Sequence, residues 1–476
     1  MRKLTLNSIL ILALSAVLTG CHGNPHETGA GSSGGGGTVT TTTPVDLLLT
    51  DSPPSGITPL SFEVTLQSAE LEPGNVSLLL APQNEEITRL QTETAMLSTT
   101  EVAVGSYTSV QITYANPSLT FENNTGASIV AGGITCTAGS VCTISPTATN
   151  QTTTLTFPSA LAVSVSAPQA VQLDLNLANL FSSALAADFT AGSSVTAVSP
   201  SSADLLGAVE DYVGQVEAVS TANSTVTIGN SLSALTAYVN SATAYLDFPT
   251  GTCPTPAFSC LADAQIVSAD VSVQPNGTLL AEHIYFKDAN SSETEVEGVI
   301  TAINLVTQQF TYVVLNESAT VAGLGIGSIA TAHWNVAPVT TTFAPDDMGL
   351  DTTGYLFAIP ADLMVGQEVS VLRNTSSAGL SLNADRVLLR GSRITAAVSG
   401  GTSFPNLTLT ALPSFFGAAG TSQLTVTVST TLGQTEYSGN ATVFSEIGPG
   451  AIVSVRGQLF PNAGTPTVLA SKVVLN

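Results

Sequence analysis

The sequence predicts an all-β, multidomain chain, and three observations carry that expectation. Apolar residues alternate with polar ones at period two along many short segments, the mark of strands with one buried face. Gly, Pro and Asn turn signals separate these segments, and helical periodicity is confined to two short stretches, 178–189 and 203–213. Only 9% of the 476 residues are charged, so Thr, Ser, Asn, Gln and Gly must cover most of the solvent faces.

Taken in order, the chain opens on Arg2 and Lys3, followed by an apolar run from Leu4 to Leu18 that ends in Leu18-Thr19-Gly20-Cys21. A charged start, a short apolar core and a small-residue exit make an export signal. The core falls short of the ~20 residues that a spanning helix needs. Leu-Thr-Gly-Cys resembles a bacterial lipobox, which implies cleavage after residue 20 and lipidation of the Cys21 thiol. Several acyl chains give stable anchoring where one does not. Position 22 is His, so the Asp of an enterobacterial inner-membrane retention signal is missing. The expected address is therefore the cell envelope, lipid-anchored at the outer membrane and facing the periplasm or the surface.

Without Arg2 and Lys3 the chain carries 8 basic and 34 acidic side chains, a net charge of −26. Such a surface repels nucleic acid and anionic head groups. The expected contacts are the membrane, through the lipid, and a saccharide or an envelope protein; neither nucleic acid nor a cofactor is expected. A hydroxyl-rich surface also keeps its polarity when carboxylates protonate, which suits an acidic exterior.

Residues 21–44 read as a flexible tether of Gly, Ser and then Thr, averaging roughly 25–30 Å from end to end. Gly31-Ser32-Ser33-Gly34-Gly35 matches G-x-S-x-G by letter alone, since the strand and helix that a nucleophile elbow needs do not flank it.

Residues 45–188 read as a β-sandwich. Leu60, Phe62, Val64 and Leu66 alternate with polar residues, as do Val110, Ile112 and Tyr114, and Val171, Leu173, Leu175 and Leu177. The segment Val45-Asp46-Leu47-Leu48-Leu49-Thr50-Asp51-Ser52-Pro53-Pro54, the strand Leu60–Glu72, Ile87–Leu90, Val104–Ile112 and Val171–Leu177 together resemble a bacterial lipoprotein family, domain of unknown function 4382. That resemblance implies an exported sandwich and offers no activity. Residues 189–213, Ser/Ala/Gly-rich at their start, are expected to be a linker.

Residues 214–476 contain a repeat with a period of roughly 85–105 residues, right for a small barrel. Its mark is a Val-Ser-Val strand followed by a closing strand of the form Ala-x-x-β-branched-x-apolar. The copies are Val271–Val273 with Ala281–Phe286, Val369–Val371 with Ala384–Leu389, and Val453–Val455 with Ala470–Leu475. Each unit opens on a Gly-led strand, at Gly214, Gly298 and Gly391. The units are similar to repeats known as domain of unknown function 5666, which implies small barrels related to the OB-fold over 214–290, 296–391 and 392–476.

Cys136/Cys142 and Cys253/Cys260 fall as two close pairs, and an even number in an exported chain reads as disulfides. Pairing within each close pair is favoured, because each closes a short loop containing Gly or Pro. A four-thiolate zinc site wants two-residue gaps, and these are five and six.

The remaining candidates are few. His22 and His26 lie in the tether, and His283 falls in an outward polar slot matching Arg386 and Lys472. His333 precedes the single tryptophan, Trp334, and such a pair can line a pocket. Asp346, Asp347 and Asp351 form a weak calcium candidate without EF-hand spacing. Gly323-Leu324-Gly325-Ile326-Gly327 lacks the basic residue of a phosphate loop and reads as a turn. No nucleophile motif accompanies either barrel histidine. The expected role is non-enzymatic binding or scaffolding; the alternative is an envelope glycan hydrolase with an unidentified carboxylate pair.

Overall fold

The computed structural model describes residues 41–476, apart from 53–57, 124, 148, 166–168, 199–207, 230–233, 247, 249–250, 252, 275–277, 288–293, 318–323, 347, 374–378, 401–402, 430–434, 442 and 463–464. Residues 41–476 form one compact unit. The expected signal peptide, Cys21 and most of the expected tether lie outside the described residues.

The first module is a two-sheet sandwich. One sheet orders Val195–Val198, Gln169–Asn176, Thr42–Ser52 and Ala95–Ala103. The other is built on Gln151–Val163, Gly105–Glu122 and Thr58–Glu72, with Gln83–Glu86 and Val141–Ile144 added. Phe62, Val64, Leu66, Ile112, Leu173 and Leu175 fill the space between the sheets. Leu47 and Leu49 join them, whereas Leu48 faces the other way and packs with Met96, Ala170 and the first barrel. Both faces of this strand are covered, which is why Leu47-Leu48-Leu49 is an unbroken apolar run.

Four expectations change in this module and at its boundary. Leu60 belongs to the cluster of the third barrel, because the ladder shifts register between Pro59 and Ser61 and turns it away from the sandwich core. The helix expected at 178–189 is only one turn, Leu177–Leu180, capped by the Asn176 side chain. Likewise 203–213 is not helical where described: Ala208–Ser220 is a strand. The stretch 189–213 thus holds the sandwich strand Val195–Val198 and the start of the first barrel.

Three repeats follow, each of six strands. The first strands are Ala208–Ser220, Thr294–Asn304 and Ser392–Val398, and the sixth are Leu279–Lys287, Ser381–Leu389 and Thr467–Leu475. In every repeat the order is third-second-first-fifth-sixth-fourth, and the third strand pairs back onto the sixth in parallel. That closure makes a five-stranded Greek-key barrel of OB type, with the fourth strand paired in parallel to the later part of the sixth.

Register explains the repeat mark. Ala281, Ala384 and Ala470 all sit at a bulge in the sixth strand, next to Glu282, Asp385 and Ser471. A threonine ahead of the fourth strand donates to each alanine carbonyl: Thr243 at 2.8 Å, Thr341 at 2.6 Å and Thr435 at 2.7 Å. The same hydroxyl accepts a backbone N–H, from Asn240, Asn335 or Ser429. The bulge frees a carbonyl and the threonine satisfies it, so the latch pins the fourth strand to the barrel.

The pairing also corrects the alignment of the copies. Val369 and Val453 face the ends of their sixth strands, at Leu389 and Leu475, and Val267 does so at Phe286. The first copy of Val-Ser-Val is therefore Val267-Ser268-Ala269, and Val271-Ser272-Val273 is a second alternation further along the same strand. Gly214 and Gly298 are equivalent, opposite Val267 and Val369, but their counterpart in the third repeat is Ala396 and not Gly391.

Candidate functional site

The structure places most of the candidates. Both expected disulfides are present, Cys136–Cys142 and Cys253–Cys260, with Cα separations of 6.0 and 5.7 Å. The first ties a hairpin to the second sheet of the sandwich; the second closes the loop before the fifth strand of barrel one. His283 sits opposite Asp270, with Nδ1 3.4 Å from its carboxylate, and is equivalent in register to Arg386 and Lys472. Trp334 is buried in the core of the second barrel, its ring stacked 6.2 Å from Phe310, while His333 points to the other side of the strand.

Of the acidic loop, Asp346 is spent on an ion pair with Arg390. Asp351 accepts the Thr353 N–H at 3.0 Å, and the Thr353 hydroxyl and N–H draw its pKa down. Asp347 lies outside the described residues. Among the described residues no group of three or more His, Cys, Asp and Glu side chains could hold a metal ion, and no helix is long and apolar enough to cross a membrane.

The densest electrostatic feature lies where the sandwich meets barrels two and three. Arg393, on the first strand of barrel three, contacts both Glu93 of the sandwich and Glu368 of barrel two. Arg456 reaches Glu93 at 3.2 Å, and Arg390 reaches Glu297 at 3.4 Å and also Asp346. Thr395 donates to Gln91 at 2.6 Å and Ser414 to Glu122 at 2.6 Å across the same boundary. Gln367 and Gln458 donate to the backbone of the neighbouring barrel, at Leu459 and Asp346.

Glu93 and Glu368 are 4% and 2% exposed, so this seam is a buried ionic network and not a surface ornament. Burial, and then the charge of and hydrogen bond to Glu297, push Glu368 well above the ordinary carboxylate range. Burial likewise raises Glu85, beside Glu86, to about 7, and Asp46 to about 6 against a hydrogen bond from Thr99.

The faces that OB-type barrels use for ligands, over the second and third strands, carry a different chemistry. Each presents a cross-strand threonine pair: Thr227 with Thr236, Thr311 with Thr331, and Thr408 with Thr425. In the first pair the hydroxyls hydrogen-bond at 2.9 Å. Oligonucleotide binding wants cations and stacking aromatics on such a face; the threonine pairs are neither, although Tyr238 of barrel one is exposed beside Thr236 and His333 of barrel two stands beside Thr331.

Between barrels two and three lies a cleft of about 240 Å³. One wall is the loop bearing Leu350, Asp351, Thr353 and Tyr355, and the other is the end of the third strand of barrel three, with Thr427 and Ser429. The Tyr355 ring is braced 5.2 Å from that of Phe460.

No protein-family model matches the chain. No curated protein matches it either. Among solved structures it is matched to "drosophila Unr CSD456", at 12% identity and a TM-score of 0.12, covering 52% of this chain and 90% of that one. A score so low carries no argument about fold or function.

Neither the seam nor the cleft was singled out in the sequence. One signal was there for the seam: after Lys3 the chain has only 8 cations, and Arg390, Arg393 and Arg456 stand in or beside strands predicted to be half-buried. Cations that scarce and that close to a core are paired. The cleft had no such signal, because its walls come from segments about 75 residues apart.

Proposed function

We propose that this chain is an exported cell-envelope protein, lipidated at Cys21, whose sandwich and three barrels act together as a non-enzymatic binding or scaffolding body. The likeness of Leu18–Cys21 to a lipobox and the resemblance of the modules to exported lipoprotein domains support the address. The observation that carries the role is the repeated threonine pair on the outer face of each barrel, a neutral hydroxyl surface suited to saccharide or protein contact.

Metabolic labelling with a palmitate analogue tests the anchor: label on the wild type and none on Cys21→Ser is the expected result, and label on both overturns it. Partner-dependent thermal stabilisation without turnover is the expected behaviour of the body itself.

One observation favours the second reading, an envelope glycan hydrolase. Glu297 and Glu368 are hydrogen-bonded to each other, and burial beside Glu297 raises the pKa of Glu368. Glycosidase carboxyls, however, flank a bond from roughly 5–9.5 Å apart, and this pair touches and is 9% and 2% exposed. Glycan hydrolysis that is lost in Glu368→Gln would decide for the enzyme.

A further inference from the structure

We propose that the cleft between barrels two and three is a shallow site for a single uncharged pyranose ring, an inference that rests on the binding role above. A pyranose is amphipathic: a face of C–H groups with hydroxyls around its rim. The cleft offers the complement, with Leu350 and Tyr355 beside the hydroxyls of Thr353, Thr427 and Ser429. At about 240 Å³ it is smaller than the roughly 300–1,000 Å³ of drug-sized sites, which suits one ring and not an oligomer lying along it.

Three details favour this ligand class. Tyr355 is held by Phe460 behind it and by its N–H bond to Thr352 at 3.0 Å, so its ring is fixed before a ligand arrives. Thr427 already donates to Asn406 at 2.9 Å, which leaves its lone pairs to accept from a sugar hydroxyl. Asp351, its pKa lowered, stays ionised in neutral and mildly acidic solution and serves as an acceptor only. With a net charge of −26 once Arg2 and Lys3 are removed, the same carboxylate repels uronic and other acidic sugars.

The test uses the full lipidated chain in neutral detergent and saturation-transfer NMR. The probes are methyl β-glucoside, the methyl glycoside of N-acetylglucosamine, glucuronate and a neutral tripeptide. Transfer to the ring protons of one or both neutral glycosides, with none to glucuronate, is expected. Tyr355→Leu and Thr427→Val should weaken that transfer about fivefold or more, the worth of one lost contact, while the melting temperature stays within a few degrees. Asp351→Asn should admit glucuronate.

Transfer that persists unchanged in both variants puts the sugar elsewhere, overturning this site but not the binding role. Transfer to the tripeptide alone overturns the ligand class. No transfer to any probe, with palmitate label intact on Cys21, overturns the site and leaves the anchor standing.

Discussion

Replacing Arg393 by Met is the sharpest perturbation of the seam. Arg393 joins three modules through two carboxylates, Glu93 and Glu368, and its own side chain is 9% exposed. Met keeps the aliphatic stem and removes the charge. Glu93 retains Arg456 at 3.2 Å, and Glu368 retains its bond to Glu297, so neither acid is wholly abandoned. Removing one partner of a buried pair costs about 3–5 kcal/mol, and with these surviving contacts the lower end, about 3 kcal/mol, is expected. Urea titration followed by circular dichroism and by Trp334 fluorescence measures it. The double variant with Glu93→Met should be less destabilised than the two single changes summed, by about 0.5–3 kcal/mol. A single-variant loss under about 1 kcal/mol, the worth of an exposed pair, would refute a buried seam.

Further predictions follow from the same structure. Asp46 and Glu85 have pKa values raised to about 6 and about 7, so the unfolded state binds fewer protons and stability falls as pH rises through 4–7. The urea midpoint should be higher at pH 5 than at pH 7. Asp46→Asn should recover much of its own share, about 3 kcal/mol at pH 7 for a carboxyl held near 6; a midpoint that rises with pH contradicts this. Thr341→Val removes both latch bonds and strands the buried Ala384 carbonyl, at a cost of about 1–3 kcal/mol, whereas the neighbouring Thr342→Val should cost little by the same titration. Gly457→Ala should destabilise by about 1–3 kcal/mol, because its Cβ would meet the Leu469 carbonyl oxygen at 2.1 Å. Reducing Cys136–Cys142 should cost about 2 kcal/mol, read as a lower melting temperature in reductant.

Much of the fold was legible because strand alternation is a local signal. Val64, Ile112 and Leu173 declare their buried face within a few residues, and the Ala-x-x mark of the sixth strands was real, held by a bulge and a threonine. The errors arose where one residue slides the pattern. Bulges turned Leu60 outward, and a second alternation in one long strand shifted Val-Ser-Val by four places. Ala208–Val213 lies in a helix-compatible composition but pairs with Val271 and Ala269, so tertiary partners overrode local preference. The seam stayed out of view because it is made of residues some 300 positions apart, Glu93 and Arg393 among them, which no spacing rule connects.

These contacts join the sandwich and the barrels within one body. Small-angle X-ray scattering from residues 41–476 tests that claim most directly. A fused body of this length should give a radius of gyration of about 22–26 Å, unchanged between 0.1 and 0.5 M salt. A radius beyond about 30 Å, or one that grows on adding salt, would contradict it and return the chain to a string of independent modules.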